Sequence, residues 1–210
     1  MRNPKPKWFG ELAVAIAGLS VFVWMAGAVM SGRSEAFDRA VRGWIHAGSF
    51  PALTYTMRAF TELGEAVFLV ALGLLIVWRL VLGGRRREAV FFAIAALGAE
   101  ALDQALKYGF RRPRPEAFFG VAPTNYSFPS GHALVSFCYY LVLAEMFIEQ
   151  KWPRRRKFLT RAVAVALAGL IGLSRIYLGV HYPTDVLAGF AAAIAWLAMV
   201  QLVHKVRREA

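Results

Sequence analysis

Residues 12–30 read LAVAIAGLSVFVWMAGAVM, nineteen consecutive positions without a single charge. A bilayer core about 30 Å thick needs roughly 20 mostly apolar helical residues to cross it. This stretch meets that need, and five more stretches follow it. Residues 60–78 are uncharged after Glu62 and Glu65, and 89–106 carry only Glu100 and Asp103. Residues 133–148 carry only Glu145, 162–178 only Arg175, and 186–203 no charge. The pattern predicts an all-α polytopic membrane protein with six transmembrane helices, one membrane domain over residues 1–210. Neither strand alternation nor regular turn spacing suggests a barrel. Ala26-Gly27-Ala28 resembles a signal cleavage site, but the run before it is long for a signal peptide, so we expect an uncleaved anchor.

Composition agrees with this reading. The chain has 210 residues, 58% of them hydrophobic, with 25 Lys+Arg against 13 Asp+Glu. Such apolar content excludes a disordered chain, and the lone Cys138 excludes a disulfide scaffold. A net charge of +12 suggests nucleic acid only until the charges are placed. They lie between the apolar runs, as membrane-flanking charge does, so no nucleic-acid partner is expected. Sixteen of the 25 fall on one side: Arg2, Lys5, Lys7, the group Arg79 to Arg87, the group Lys151 to Arg161, and Lys205, Arg207 and Arg208. Nine fall on the other. The positive-inside rule then places both termini in the cytoplasm and the Ser31–Ala59, Lys107–Gly131 and Gly179–Thr184 connections outside. In the first of these, Phe37, Val41, Trp44 and Ile45 recur at helical spacing between Glu35, Asp38, Arg39 and Arg42. That fits a short amphipathic helix, either on the membrane surface or packed on the bundle.

Three polar clusters fall on the outer face. Lys107-Tyr-Gly-Phe-Arg-Arg-Pro-Arg114-Pro115 ends the third run; Phe128-Pro129-Ser130-Gly131-His132 opens the fourth; Ser174-Arg175 and His181-Tyr-Pro-Thr-Asp185 join the fifth to the sixth. The topology brings segments far apart in sequence to one depth of one membrane face. Lys107, Arg114 and Arg175 are cations able to surround a multiply charged anion, Arg as a planar fork and Lys as a point charge. Backbone N–H groups at Gly131, where a helix begins, form an anion cradle. His132 and His181 are suited to act as nucleophile, acid or base near neutral pH. Asp185, one helical turn after His181, is placed to accept the Nδ1 proton and leave Nε2 free. Pro183 suits the first turn of the last helix.

Lys107-x6-Arg114-Pro115, Pro129-Ser130-Gly131-His132 and Ser174-Arg175-x5-His181-x3-Asp185 together resemble the three-part signature of the type 2 phosphatidic acid phosphatase superfamily. The resemblance implies metal-independent hydrolysis of a lipid phosphate ester or anhydride, and no cofactor or obligate protein partner is expected. It implies that His181 is the nucleophile that becomes phosphohistidine, that Asp185 orients it, and that His132 protonates the leaving group and then activates water. Lys107, Arg114, Ser130, Gly131 and Arg175 would hold the phosphoryl oxygens. Undecaprenyl diphosphate is the leading substrate expectation, with phosphatidylglycerol phosphate, phosphatidic acid and lipid A phosphates behind it. A multi-pass protein of the inner (cytoplasmic) membrane with its site on the outer face is expected. A lipid or anion transporter and a lipid-binding protein are the competing classes, but neither needs two histidines and Asp185 in this spacing. The six apolar spans speak against a soluble haloperoxidase.

For the remaining polar residues the expectations are plainer. Arg111 and Arg112 read as headgroup anchors, and Ser130 as an N-cap and phosphate contact. Ser174 reads as a packing or hydrogen-bonding residue, Cys138 as a packing residue, and His46 and His204 as interfacial or solvated. Asp103 is expected to pair with a nearby base, whereas Glu62 and Glu65 stay unassigned. Asn125-Tyr126-Ser127 matches a glycosylation sequon by chance, since a glycan there would crowd the site.

Overall fold

The computed structural model describes residues 8–120 and 123–209, the last three by backbone alone. Arg2, Lys5 and Lys7, and the side chains of Arg207 and Arg208, counted in the charge asymmetry, lie outside the described residues and side chains. Eight helices follow in order: α1 Phe9–Met30, α2 Glu35–Ala47, α3 Pro51–Glu62, α4 Ala66–Leu82, α5 Arg86–Phe110, α6 Gly131–Phe147, α7 Arg154–Tyr177 and α8 Pro183–Glu209. The described residues form no strand.

α1, α5, α7 and α8 are each long and apolar enough to cross a membrane. α3 and α4 form one further span if taken together, bent by 47° at their junction, and α6 is apolar but only 17 residues long. The helices outrun the apolar stretches that predict them. α5 continues to Phe110, and α7 starts at Arg154 rather than 162, so the basic segment before it is helical. Hydropathy marks where a helix meets hydrocarbon, whereas its hydrogen bonding continues into the interface.

The expected helix over 60–78 is interrupted. α3 stops at Glu62 and α4 starts at Ala66. A Cβ on Gly64 would come within 2.6 Å of Ile171 Cγ2 and 2.9 Å of His132 Cδ2, so only glycine lets this turn press against α6 and α7. Tyr140 Oη donates to Leu63 O at 2.6 Å, satisfying a carbonyl freed at the end of α3.

α6 lies at the centre, against α5, α7 and α8, and α1 runs along α8. Small residues permit the close approach: a Cβ on Gly18 would stand 2.9 Å from Ala195 N. Polarity is distributed as in membrane bundles. Large apolar side chains such as Trp24 and Val67 face outward, while Asp103, Lys107, Arg175, His181 and Asp185 are buried. α2 docks on α7 and α8. Its Asp38 is fully buried and Trp44 is 79% exposed, so a carboxylate faces the bundle and an aromatic ring faces out.

Candidate active site

All eight residues proposed from the signature lie on α5, α6, α7, α8 and the connections at one end of the bundle. α8 opens at Pro183, so His181 precedes its first turn and Asp185 lies within it. The imidazole is 1% exposed. Nδ1 of His181 lies 3.3 Å from Asp185 Oδ2, and Nε2 lies 2.9 Å from Nη1 of Arg114. A guanidinium has no lone pair to accept with, so Nε2 must be the acceptor there. That places the proton on Nδ1, donated to Asp185, and the lone pair on Nε2. Burial, and then the nearby charges of Arg114, Arg175 and Lys107, push His181 well below the ordinary imidazole range. The ring is therefore neutral at pH 7.

Asp185 is held from three directions. Its Oδ2 accepts from the Tyr182 N–H at 2.9 Å, and its Oδ1 from Arg112 Nη1 at 2.5 Å. Arg112 also donates through Nη2 to Asp38 Oδ2 at 2.7 Å and through Nη1 to Thr184 Oγ1 at 2.9 Å. Thr184 returns both its N–H and its hydroxyl to Asp38, at 3.0 and 2.7 Å. The Arg112 guanidinium stacks 3.9 Å from the Tyr182 ring centroid. The expectation that Arg112 anchors headgroups is therefore wrong: it is an internal clamp between Asp38 of α2 and Asp185 of α8. Arg111 is exposed, and among the described residues its side chain bonds just the Tyr108 carbonyl, as an interfacial residue would. Its left-handed backbone, with φ of 50°, ends α5 and sends the two neighbouring side chains apart.

The cation cluster is assembled from separate elements. Lys107 pairs with Asp103 one turn earlier on α5, and both are buried. A Cβ on Gly131 would lie 2.6 Å from Asp103 Oδ2 and 2.8 Å from Lys107 Nζ, so any larger residue where α6 begins must displace this ion pair. Arg114 donates to Asn125 Oδ1 at 2.6 Å and to the Val180 carbonyl at 2.9 Å, besides His181. Asn125 is thus occupied within the site, consistent with a chance sequon. Arg175 donates through Nη1 to Thr61 Oγ1 at 2.5 Å.

Two buried donors in this cluster, Ser130 Oγ and Arg175 Nε, have no hydrogen-bond partner among the described residues. Leaving a buried donor unmade costs about 1–3 kcal/mol, so each calls for an acceptor that arrives from outside. This corrects one expectation: Ser130 holds the N-cap position of α6, but its hydroxyl makes no capping bond. Its N–H donates instead to the Asp185 carbonyl at 3.0 Å, tying α6 to α8.

His132 stands in the first turn of α6. Its Nε2 lies 3.1 Å from Glu65 Oε1, in the break between α3 and α4. The same oxygen is 3.6 Å from Arg175 Nη1. Glu65, Thr61, Asp38, Thr184 and Arg112 are thus the site residues that the signature leaves out. Glu65 had a weak signal, a carboxylate beside a glycine within an apolar run, and Asp38 had none beyond its charge. His46 stacks on Phe118, with centroids 3.9 Å apart. Ser174 bonds the Ile171 carbonyl, as a packing residue would. Among the described residues, no three His, Cys, Asp or Glu side chains converge as a metal-holding group.

Comparison with known proteins gives one consistent picture. The model of the PAP2 superfamily matches residues 88–209. Phosphatidylglycerophosphatase B of Bacillus subtilis is 28% identical over 181 residues, covering 86% of this chain and 89% of that protein. An undecaprenyl-diphosphatase of Sulfolobus acidocaldarius is 29% identical over 165 residues, covering 73% and 75%. Among solved structures, a transmembrane PAP2-type phosphatidylglycerolphosphate phosphatase from Bacillus subtilis superposes with a TM-score of 0.82 at 27% identity, covering 90% of this chain and 96% of that one.

Proposed function

The chain belongs to the PAP2 superfamily, and we propose that it is a multi-pass membrane phosphatase that removes the terminal phosphate of a lipid phosphate or diphosphate through a phosphohistidine on His181. One observation carries this reading above the others. Nε2 of His181 bears a lone pair inside a shell of Arg114, Lys107 and Arg175, with Ser130 Oγ and Arg175 Nε still lacking acceptors. An incoming phosphoryl group supplies those acceptors and brings phosphorus to the nitrogen.

In the first half-reaction Nε2 attacks phosphorus, the P–N bond forms and the P–O bond to the lipid breaks. Asp185 accepts the hydrogen bond from Nδ1–H, which keeps its proton, and stabilises the cationic ring that results. Arg114, Arg175, Lys107, Ser130 Oγ and the backbone N–H groups at Gly131 stabilise charge on the three equatorial oxygens. His132 gives a proton to the leaving oxygen. In the second half-reaction His132, now neutral, takes a proton from water as its oxygen attacks phosphorus, the P–N bond breaks, and inorganic phosphate leaves. No step draws on a metal.

The six apolar runs support six crossings, and the charge asymmetry supports cytoplasmic termini with the site at the outer face of the inner membrane. Phosphatidylglycerol phosphate leads the substrate panel, because the Bacillus relative matches more of the chain than the Sulfolobus one does. Undecaprenyl diphosphate, first by sequence expectation, stands second; phosphatidic acid and lipid A phosphates follow. The test is phosphate release from these lipids by detergent-purified protein in EDTA, with His181→Ala beside it. Release that survives EDTA and vanishes with His181→Ala is expected. Release abolished by EDTA overturns the metal-free mechanism. No release from any lipid by folded protein returns the site to headgroup binding or transport.

A further inference from the structure

We propose that Glu65 is a positioning residue for His132, holding Nε2–H so that the other ring nitrogen, Nδ1, carries the proton to and from the reacting oxygen. The inference rests on the phosphatase reading above and adds to it a residue outside the three-part signature. Glu65 Oε1 is 3.1 Å from His132 Nε2, and no other side chain among the described residues bonds that ring. Nδ1 has no protein partner there, and it is not among the buried atoms left without one, so it is open to an incoming group. The Cδ2 edge of the ring faces the α3–α4 turn, because a Cβ on Gly64 would come within 2.9 Å of it. Nδ1 lies on the opposite edge of the imidazole and points away from that turn. Break, glycine and carboxylate thus form one device: the bend between α3 and α4 brings Glu65 to Nε2 and leaves Nδ1 clear.

The electrostatics require such a partner. Arg175 of α7 and Lys107 of α5 both act on His132, and the charge of each disfavours a proton on its ring. Asp103 is already committed to Lys107. Glu65 is the one carboxylate in contact with His132 among the described residues. Without it the general acid would stand among cations with nothing to hold its charge. In the first half-reaction the Nδ1 proton passes to the lipid oxygen as the P–O bond breaks. In the second, Nδ1 recovers a proton from water as its oxygen attacks phosphorus. Glu65 keeps Nε2–H throughout.

A structural or substrate-mimicking carboxylate predicts different behaviour. Oε1 is also 3.6 Å from Arg175 Nη1, where a phosphate oxygen could replace it. If Glu65 were only a stand-in for phosphate, its removal would lower KM and leave kcat unchanged. The test is a double-mutant cycle of Glu65→Gln and His132→Ala on the lipid that the wild-type protein hydrolyses fastest. We expect Glu65→Gln to lower kcat about tenfold in the wild-type background, within the range for impaired acid–base catalysis, and to change it little once His132 is gone. The loss is also expected to be smaller for a diphosphate, whose phosphate leaving group needs little protonation, than for a monophosphate that expels an alkoxide. Equal losses in both backgrounds, or a fall in KM alone, would overturn the assignment. A readout that needs no turnover is the imidazole 15N spectrum. The wild-type protein should show His132 protonated at Nε2 and hydrogen-bonded there, with that signature lost in Glu65→Gln; an unchanged spectrum contradicts the contact. If the wild-type protein hydrolyses none of the lipids while this spectrum responds, it is the phosphatase reading that fails and the pairing that stands.

Discussion

The two histidines of the site each have a carboxylate, and the two pairs are built in opposite ways. His181 contacts Asp185 through Nδ1, and both side chains are almost wholly buried. His132 contacts Glu65 through Nε2, and the Glu65 side chain is 43% exposed. Asp185 is fixed by Tyr182 N–H and Arg112, and Arg112 in turn by Asp38 and Thr184. Glu65 sits in a bend between two helices, and among the described residues its carboxylate meets His132 and Arg175 as its polar side-chain partners. The difference matches the two tasks. A nucleophile must hold one tautomer and one direction, and rigid burial provides both. A group that gives a proton and then takes one back must reach the water side, which an open position provides. The lesson is that one chemical motif, imidazole with carboxylate, acquires its role from how firmly its surroundings hold it.

This comparison can be broken by experiment. The largest effect is expected at Asp185. Asp185→Asn keeps the shape but lets the ring adopt the wrong tautomer, and the comparable change in serine hydrolases costs about 10⁴ in kcat. Steady-state turnover on the preferred lipid checks it, and a loss no larger than that of Glu65→Gln would erase the distinction between the pairs.

Next comes the clamp. Arg112→Ala leaves Asp38 and Asp185 facing each other without their cation, and removing one partner from a buried ion pair costs about 3–5 kcal/mol. A clear fall in the detergent melting temperature together with lost turnover is expected. Arg111→Ala, one residue away and exposed, should change both little. Similar outcomes for the two would restore Arg112 to the headgroup region.

Gly131→Ala probes the floor of the cluster. The added methyl meets Asp103 Oδ2 and Lys107 Nζ at under 3 Å. Loss of kcat/KM with the protein still folded is expected, and wild-type kinetics would show that α5 yields at no cost.

The smallest effect is in the pH profile. Because the His181 imidazole lies well below its ordinary value, first by burial and then by its cationic neighbours, it remains deprotonated as pH falls through 6.5, the unperturbed value. The nucleophile therefore stays competent there, and loss of kcat/KM through its protonation should begin only at lower pH. An acid limb centred at or above 6.5 and assigned to His181 would show a hydrated ring instead of a buried one.

Much of this was legible in the chain, and the exceptions have physical causes. Apolar runs announce helices that meet lipid, and spacing within the three clusters places His132, His181, Asp185 and the cations at one end of the bundle. What hydropathy does not encode is a bend, so residues 60–78 read as one helix although Gly64 breaks it against Ile171 and His132. Arg111 and Arg112 are identical in composition and adjacent in sequence. The left-handed backbone at Arg111 ends α5 between them, and Arg112 is the one that turns inward. Asp38 lies more than seventy residues from Arg112, on a helix whose apolar spacing suggests the opposite orientation, with Asp38 toward water. Ser130 looks like a helix cap, yet its hydroxyl is held back from the backbone and left for another acceptor.

The central claim is that His181 Nε2 forms a bond to phosphorus, and the most direct measurement is to trap it. Purified protein mixed with a lipid labelled in its terminal phosphate and quenched within milliseconds should carry label on one histidine. The adduct should be labile in acid and stable in base, and it should map to His181 by mass spectrometry. It should accumulate in His132→Ala when a diphosphate is the substrate, because water activation is then slowed more than departure of a good leaving group. Phosphate released by an active enzyme with no labelled His181 at any quench time, in either protein, would contradict the account and point to direct attack by water.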